Sequence, residues 1–390
     1  MIISPYTAIV PAIYMTYKFL KGEVYINKNQ WNIALFFLFI WALIVGAING
    51  SVTSIIASFA IFIYFCVNSF MQEYCNNEVK IEKLFKYLLY FSIFSSVIGL
   101  MEKILCTYFK VNVVAQFLNF TSQVINNKRI YSTFGNPNIA GNWFAIMTLV
   151  SIYFWFQEPK KILYKISTIL FISVLCFTGS RGALMALLVG VLVFYVLKLN
   201  KNKKCNWIFI VLLLVITVIT FLPIPILNKI IAHNVDRSFS SRVDIWKGCL
   251  NMFKDKPLTG WGVMAVWDHG ADYIRGYNKF LFHAHNIWLT FMSTLGIVGI
   301  GIYGFMKLSL FKGLKNLYNK KCNLVPLLAG IQVLIIVHGL VDFTIIAPQT
   351  GLLFIICSSM IISLAKEYTT TTVKDFLKKQ HKLRTLFKNI

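Results

Sequence analysis

Apolar runs of about 20 residues recur along this 390-residue chain, the length a helix needs to cross roughly 30 Å of hydrocarbon. Inside a bilayer every backbone N–H and C=O must find its partner within the protein, which restricts such runs to helices. Composition points the same way. Hydrophobic residues make up 57 % and charged residues 13 %, against about 25 % charged in an ordinary soluble domain. So few charges cannot cover a water-facing surface, and disorder and coiled coil are excluded with it. The expected fold class is all-α: a polytopic transmembrane helical bundle of about eleven spans with one large extracytoplasmic loop subdomain. The spans lie near 3–20, 31–49, 52–71, 84–101, 139–157, 162–178, 181–199, 206–223, 286–307, 324–342 and 349–365.

The net charge of +24 on a soluble chain would suggest nucleic acid. Here the placement of the basic residues argues for positive-inside bias instead. One set of alternate connections, with the tail, holds 25 of the 38 Lys and Arg. On the other side the short connections carry only Arg181. The tail is therefore expected in the cytoplasm, and segments 102–138 and 224–285 outside. Membrane lipids, and not nucleic acid, are the expected surroundings. Residues 1–365 read as the membrane domain and 366–390 as a basic amphipathic tail, entered through a polar linker at Thr369–Thr372. The first run lacks a small-residue cleavage site and is expected to be retained. The eight cysteines include no CxxC pair, so neither a disulfide framework nor zinc is expected.

Four polar clusters depart from what lipid-facing helices need, and all fall on the outward side. The first, Arg129 to Asn138, contains the turn Phe-Gly-Asn-Pro-Asn. Asn138 is a natural cap for the next helix, but capping does not explain Ser132, Thr133, Asn136 and Asn142 beside it. The second is the turn Thr178-Gly-Ser-Arg-Gly182. Arg181 there either reaches outer-leaflet headgroups or binds phosphate through its planar fork. The third holds Arg237 and Arg242 near an expected helix start, with Ser241-x-x-Asp244 as a capping box and Trp246, Cys249, Leu250 and Phe253 along one face. These arginines suit an anion site, or internal pairing with Asp236 or Asp244.

The fourth cluster is His283-Ala-His285-Asn286. His-x-His is a weak metal signal without a third ligand beside it, whereas an imidazole at a membrane edge suits a general base. An interfacial histidine with an ordinary hydrogen bond is the plainer reading. His338 and Asp342, one turn apart in the tenth span, form a further polar pair, functional or simply structural.

The Ser-Arg-Gly turn, Arg242-x-x-x-Trp246, Lys-Pro-Leu-Thr-Gly-Trp-Gly at 256–262, and His285-Asn286 leading to Leu-Gly-Ile-Val-Gly at 295–299 together resemble the O-antigen ligase and polymerase superfamily. The Phe-Gly-Asn-Pro-Asn turn is similar as well, and the resemblance spans about 125–345, including the loop 224–285. It implies a multi-pass protein of the bacterial cytoplasmic (inner) membrane with an extracytoplasmic site. There glycan would pass from an undecaprenyl-diphosphate donor to a glycan or lipid-linked acceptor such as lipid A-core. Carried over by position, Arg181 and Arg242 would hold the diphosphate and His285 would activate the acceptor hydroxyl. His283, Arg237, Arg129, Asn138 and Asp342 would bind substrate. No metal or other cofactor is implied, and the sequence contains no Walker loop, Rossmann fingerprint or carboxylate-rich site. A polymerase of the same superfamily is the nearest alternative. A transporter of lipid-linked glycan is the alternative of a different class.

Overall fold

A computed structural model describes residues 8–23, 28–109, 129–199, 235–279 and 281–388. The side chains of 235–241 and 370–388 lie outside that description, as do the expected span 206–223, Cys205 and the tail's basic face. The described residues are all-helical: α1 (Ile9–Leu20), α2 (Gln30–Ile48), α3 (Val52–Tyr74), α4 (Glu78–Phe109), α5 (Pro137–Gln157), α6 (Ile162–Thr178) and α7 (Arg181–Leu199) come first. They are followed by α8 (Val235–Asp255), α9 (Ala265–Tyr273), α10 (Ile287–Asn319), α11 (Val325–His338), a 3-10 turn (Thr344–Ile346) and α12 (Pro348–Lys388). Among the described residues seven helices are long and apolar enough to cross a membrane, and α1, α6 and α11 are shorter apolar helices. This is a polytopic helical membrane protein.

Burial follows from lipid as solvent. The outer helices expose large apolar side chains, among them Phe91, Phe94, Met101 and Ile104 on α4. A water-facing surface would not carry them in continuous rows. At the centre, α5 packs against α4, α6, α7, α11 and α12. Polar side chains join helices where apolar contact alone gives little preference in lipid. Asn68 accepts from Trp31 Nε1 at 2.8 Å and from Ser359 at 2.8 Å, and donates to Asn32 at 2.8 Å.

Helix limits depart from the hydropathy reading where local chemistry intervenes. Pro11 is accommodated because it stands in the first turn of α1, where an N–H has no helical partner. Residues 102–109 continue α4 instead of opening a loop. Likewise α10 runs to Asn319, so Lys307 is not a connection residue. Its amine donates to Gln332 at 3.2 Å and lies 4.4 Å from the Phe354 ring centroid. Helix α12 runs on through Thr369–Thr372, since threonines without Gly or Pro only weaken a helix. The tenth span ends at His338, and residues 339–347 are irregular apart from the 3-10 turn.

The connections expected outward gather at one end of the bundle. Ser51 and Thr53 donate to Asp268, and Gly182 abuts Val341 and His338. Ile287 N donates to the Gly339 carbonyl at 2.7 Å. The opposite end carries the ion pairs Lys18–Glu73 (3.4 Å) and Lys86–Glu158 (2.8 Å), with Lys161 also on Glu158.

A second device builds the site end. Helix α10 is broken at Gly296, whose φ of 66° and ψ of −164° suit glycine alone. The break exposes backbone groups that the 257–262 turn satisfies. Trp261 N donates to Ser293 O (3.0 Å), Gly262 N to Thr294 O (2.8 Å), and Ile297 N to Pro257 O (2.9 Å). Lys256 sits 3.6 Å from the Trp261 ring centroid and also donates to Asn49. The Lys-Pro-Leu-Thr-Gly-Trp-Gly and Leu-Gly-Ile-Val-Gly segments are thus two halves of one joint.

Candidate functional site

The segment 129–134 is laid across α4. Glu102, fully buried in that helix, accepts from Tyr131 N (3.0 Å) and Ser132 N (2.6 Å). Ser132 and Ser95 add side-chain bonds, and Ser132 takes a φ of 53°. That anchoring fixes Arg129, whose Nε donates to the Thr178 carbonyl at 2.6 Å and whose Nη2 donates to Asn138 Oδ1 at 2.7 Å. Asn138 therefore does not cap α5. Asn136 does, accepting from Asn138 N at 2.7 Å, with Pro137 opening the helix. Asn138 is left to orient the guanidinium.

The 178–182 turn is held by geometry that favours glycine. Gly179 closes α6 with a φ of 63°, and a Cβ on it would meet Arg129 Nε at 3.3 Å. Arg181 is the first residue of α7, and its neighbour Gly182 would bring a Cβ to 3.2 Å from His338.

Helix α8 is already formed at Val235, so Ser241 and Asp244 lie inside it and not at its start. Its buried face is Ile245, Cys249 and Met252, whereas Leu250 is exposed. The side chain of Arg237 is outside the described residues. Arg242 lies close enough to Arg129 and His283 for its charge to act on both. Trp246 Nε1 donates to Ala284 O at 3.0 Å and so ties α8 to the histidine segment.

The His283–Asn286 segment is fixed from both sides. Asn286 caps α10, accepting from Trp288 N and Leu289 N, and donates to the Leu340 carbonyl at 2.9 Å. His285 takes a left-handed φ of 48°. Two of the three non-glycine residues with positive φ among those described, Ser132 and His285, thus stand at this end; such backbone clusters at functional sites. His285 Nδ1 lies 3.0 Å from Asp342 Oδ1, and Phe343 N also donates to that oxygen at 2.8 Å. Asp342 thus pairs with His285 across the fold and not with His338, because the helix ends between them. His338 turns to Thr344 at 3.2 Å, and Thr344 accepts from Asn142 at 2.8 Å.

The electrostatics favour an anion. Burial by itself raises the Asp342 carboxyl, but the His285 hydrogen bond and the nearby histidines outweigh it and hold the group below the usual carboxylate range. His283 is pushed down to about 3, first by burial and then by the charges of His285 and Arg242. Its Nδ1 accepts from His285 N at 3.1 Å. Burial also lowers Arg129, and Arg242 lowers it further while Tyr131 and Asp342 oppose the shift. Arg129 and Arg242 lie near the carboxylate of Asp342, which is already committed to a histidine. Like charges held in a poorly hydrated place are relieved by a bound anion.

Donor atoms of His283, His285 and Asp342 lie within 4.8 Å of one another, close enough to hold a divalent cation. The third ligand lacking from the His-x-His sequence is thus brought from 57 residues away. The adjoining guanidiniums oppose a cation at that point, and the 3.0 Å His–Asp contact already uses two of the three donors.

The structure therefore brings together Arg129, Asn138, Arg242, His283, His285 and Asp342, with the Arg181 turn packed alongside. Sequence reasoning missed Glu102, which positions the Arg129 segment. Its signal was present: an acidic residue at the end of an apolar run.

No curated protein matches the chain. Residues 166–304 match the family model described as O-antigen ligase. The match contains Arg181, Arg242, His283 and His285, while Arg129, Asn138 and Asp342 lie outside it. Over that segment the chain is similar to the O-antigen ligase superfamily.

Proposed function

We propose that the protein transfers glycan from an undecaprenyl-diphosphate donor to an acceptor hydroxyl at the extracytoplasmic face of the cytoplasmic membrane, without metal or nucleotide. The observation that carries this reading is the His285–Asp342 contact beside Arg129 and Arg242. An ionised carboxylate only accepts, so Nδ1 of His285 carries the hydrogen, and in the proton-accepting form of the ring Nε2 is left to take a proton. In the proposed step the acceptor O–H gives its proton to Nε2 and its oxygen bonds to the anomeric carbon. The bond from that carbon to the diphosphate breaks, and its electron pair leaves on the diphosphate oxygen. Arg129, Arg181 and Arg242 stabilise the charge developing there, while Asp342 stabilises the imidazolium. The proton then passes to solvent or to the diphosphate.

Transfer to a lipid A-core type acceptor and polymerisation onto a second lipid-linked glycan use the same step. A transport function is less well supported, because Arg129, Asn138, Arg242, His283, His285 and Asp342 gather at one end of the helices. The test is release of undecaprenyl diphosphate, with formation of the glycan product, by the purified protein in lipid. His285→Ala is expected to lose about 10²–10⁴-fold in turnover while still binding donor, and chelators are expected to leave the wild type active. Donor-independent activity, or inactivation by chelator reversed by metal, would overturn the reading.

A further inference from the structure

We infer that Trp267 and Phe282 form a stacking platform for one pyranose ring of the glycan, immediately beside the reacting bond; the inference rests on the proposed transfer. The two rings lie parallel, with centroids 4.5 Å apart and planes 8° apart, and both side chains are exposed, 37 % and 40 %. Elsewhere in the loop region aromatic side chains are used structurally. Trp246 donates to Ala284 O and Trp261 donates to Met252 O. Trp267 and Phe282 instead pack on each other.

The platform is built rigidly. The Trp267 carbonyl accepts from Tyr277 at 3.0 Å, and Gly270 lies so close to the Tyr277 ring that a Cβ would meet it at 2.3 Å. Next to Trp267, Asp268 is clasped by Ser51 and Thr53 at 2.7–2.8 Å. Val266, the residue before Trp267, is buried with Ala284 in the same small core. The platform therefore moves with the His283–His285 segment. Phe282 directly precedes His283, and the chain from Phe282 to His285 reaches about 10 Å at most. That separation suits a sugar ring adjacent to the bond being made or broken.

The chemistry fits a sugar better than an acyl chain. A ring face carries negative charge density and attracts the polarised C–H bonds on the flat face of a pyranose. Trp267 is followed directly by the carboxylate Asp268, which is disfavoured at an anionic lipid surface. The ring held could belong to the donor or to the acceptor, and the kinetics separate them.

The experiment uses the full-length protein in lipid vesicles, with undecaprenyl diphosphate carrying a disaccharide as donor and the same disaccharide in solution as acceptor. Trp267→Ala and Trp267→Leu are expected to raise one KM by about two- to tenfold, with kcat nearly unchanged, and Trp267→Phe to restore it. A rise in the donor KM assigns the platform to the donor sugar, and a rise in the acceptor KM to the acceptor. Leucine keeps the apolar area without the π face, so wild-type KM values in that variant would overturn the inference. So would quenching of Trp267 fluorescence by brominated lipid, measured against Trp267→Phe, because it would seat the ring in the bilayer. Failure of the wild-type protein to transfer any glycan would instead count against the proposed reaction itself.

Discussion

Replacing Asp342 by Asn tests the link between geometry and chemistry most directly. The substitution keeps the size of the side chain and an oxygen that can still accept from Phe343 N, now at 2.8 Å. The loop after α11 is therefore expected to stay in place. What disappears is the negative charge 3.0 Å from His285 Nδ1, on a side chain only 6 % exposed. A hydrogen bond to a charged group contributes about 1.5–3 kcal/mol, which corresponds to roughly 10–150-fold in rate. The larger end applies because the site is poorly hydrated. The loss should fall on kcat, with the donor KM altered much less, since Asp342 faces the base and not the arginines' ligand. The assay is release of undecaprenyl diphosphate in vesicles over a range of donor concentrations, with thermal stability measured in parallel. Turnover within about threefold of wild type, at unchanged stability, would refute the orienting role of Asp342 and the tautomer argument that rests on it.

Arg181→Ala and Arg242→Ala should each lower turnover at least about tenfold, with lysine restoring only part of it because it lacks the bidentate fork; initial rates at normal membrane levels check this. Gly296→Ala should destabilise the protein by about 2–4 kcal/mol, since the added Cβ would lie 2.3 Å from the Leu258 carbonyl oxygen at a positive φ. A melting curve in detergent reads the loss. His283 is held down to about 3 in the folded protein, against about 6.5 in an unfolded chain. Its contribution is complete above about pH 6.5 and declines as the pH falls toward 3, because only the unfolded state then binds the proton. Melting temperatures from pH 7.5 to 4.5 should show that decline, and His283→Asn should flatten it.

Much of the molecule was legible in the sequence because hydrophobic length is a one-dimensional signal. Helix-forming apolar runs and glycine turns depend on residues close together in the chain. The polar clusters stood out for the same reason: Arg129, Arg181, Arg242 and His285 interrupt a chain that otherwise avoids charge. Hydropathy could not say where a helix stops, because an apolar residue after a break is as apolar as one before it. Thus α11 ends at His338 and α4 continues past Glu102.

Partnership was decided by the tertiary structure alone. Asp342 and His338 are four residues apart and suggested a helical pair, yet the break at the end of α11 sends Asp342 to His285, 57 residues away. Asn138 suits a cap by type, but Asn136 takes that place and Asn138 receives Arg129. Glu102 holds the Arg129 segment through backbone N–H groups, which carry no sequence signature. The broken helix at Gly296 finds its missing hydrogen bonds in the 257–262 turn. Every chain has such backbone donors and acceptors, so only the fold selects which of them meet.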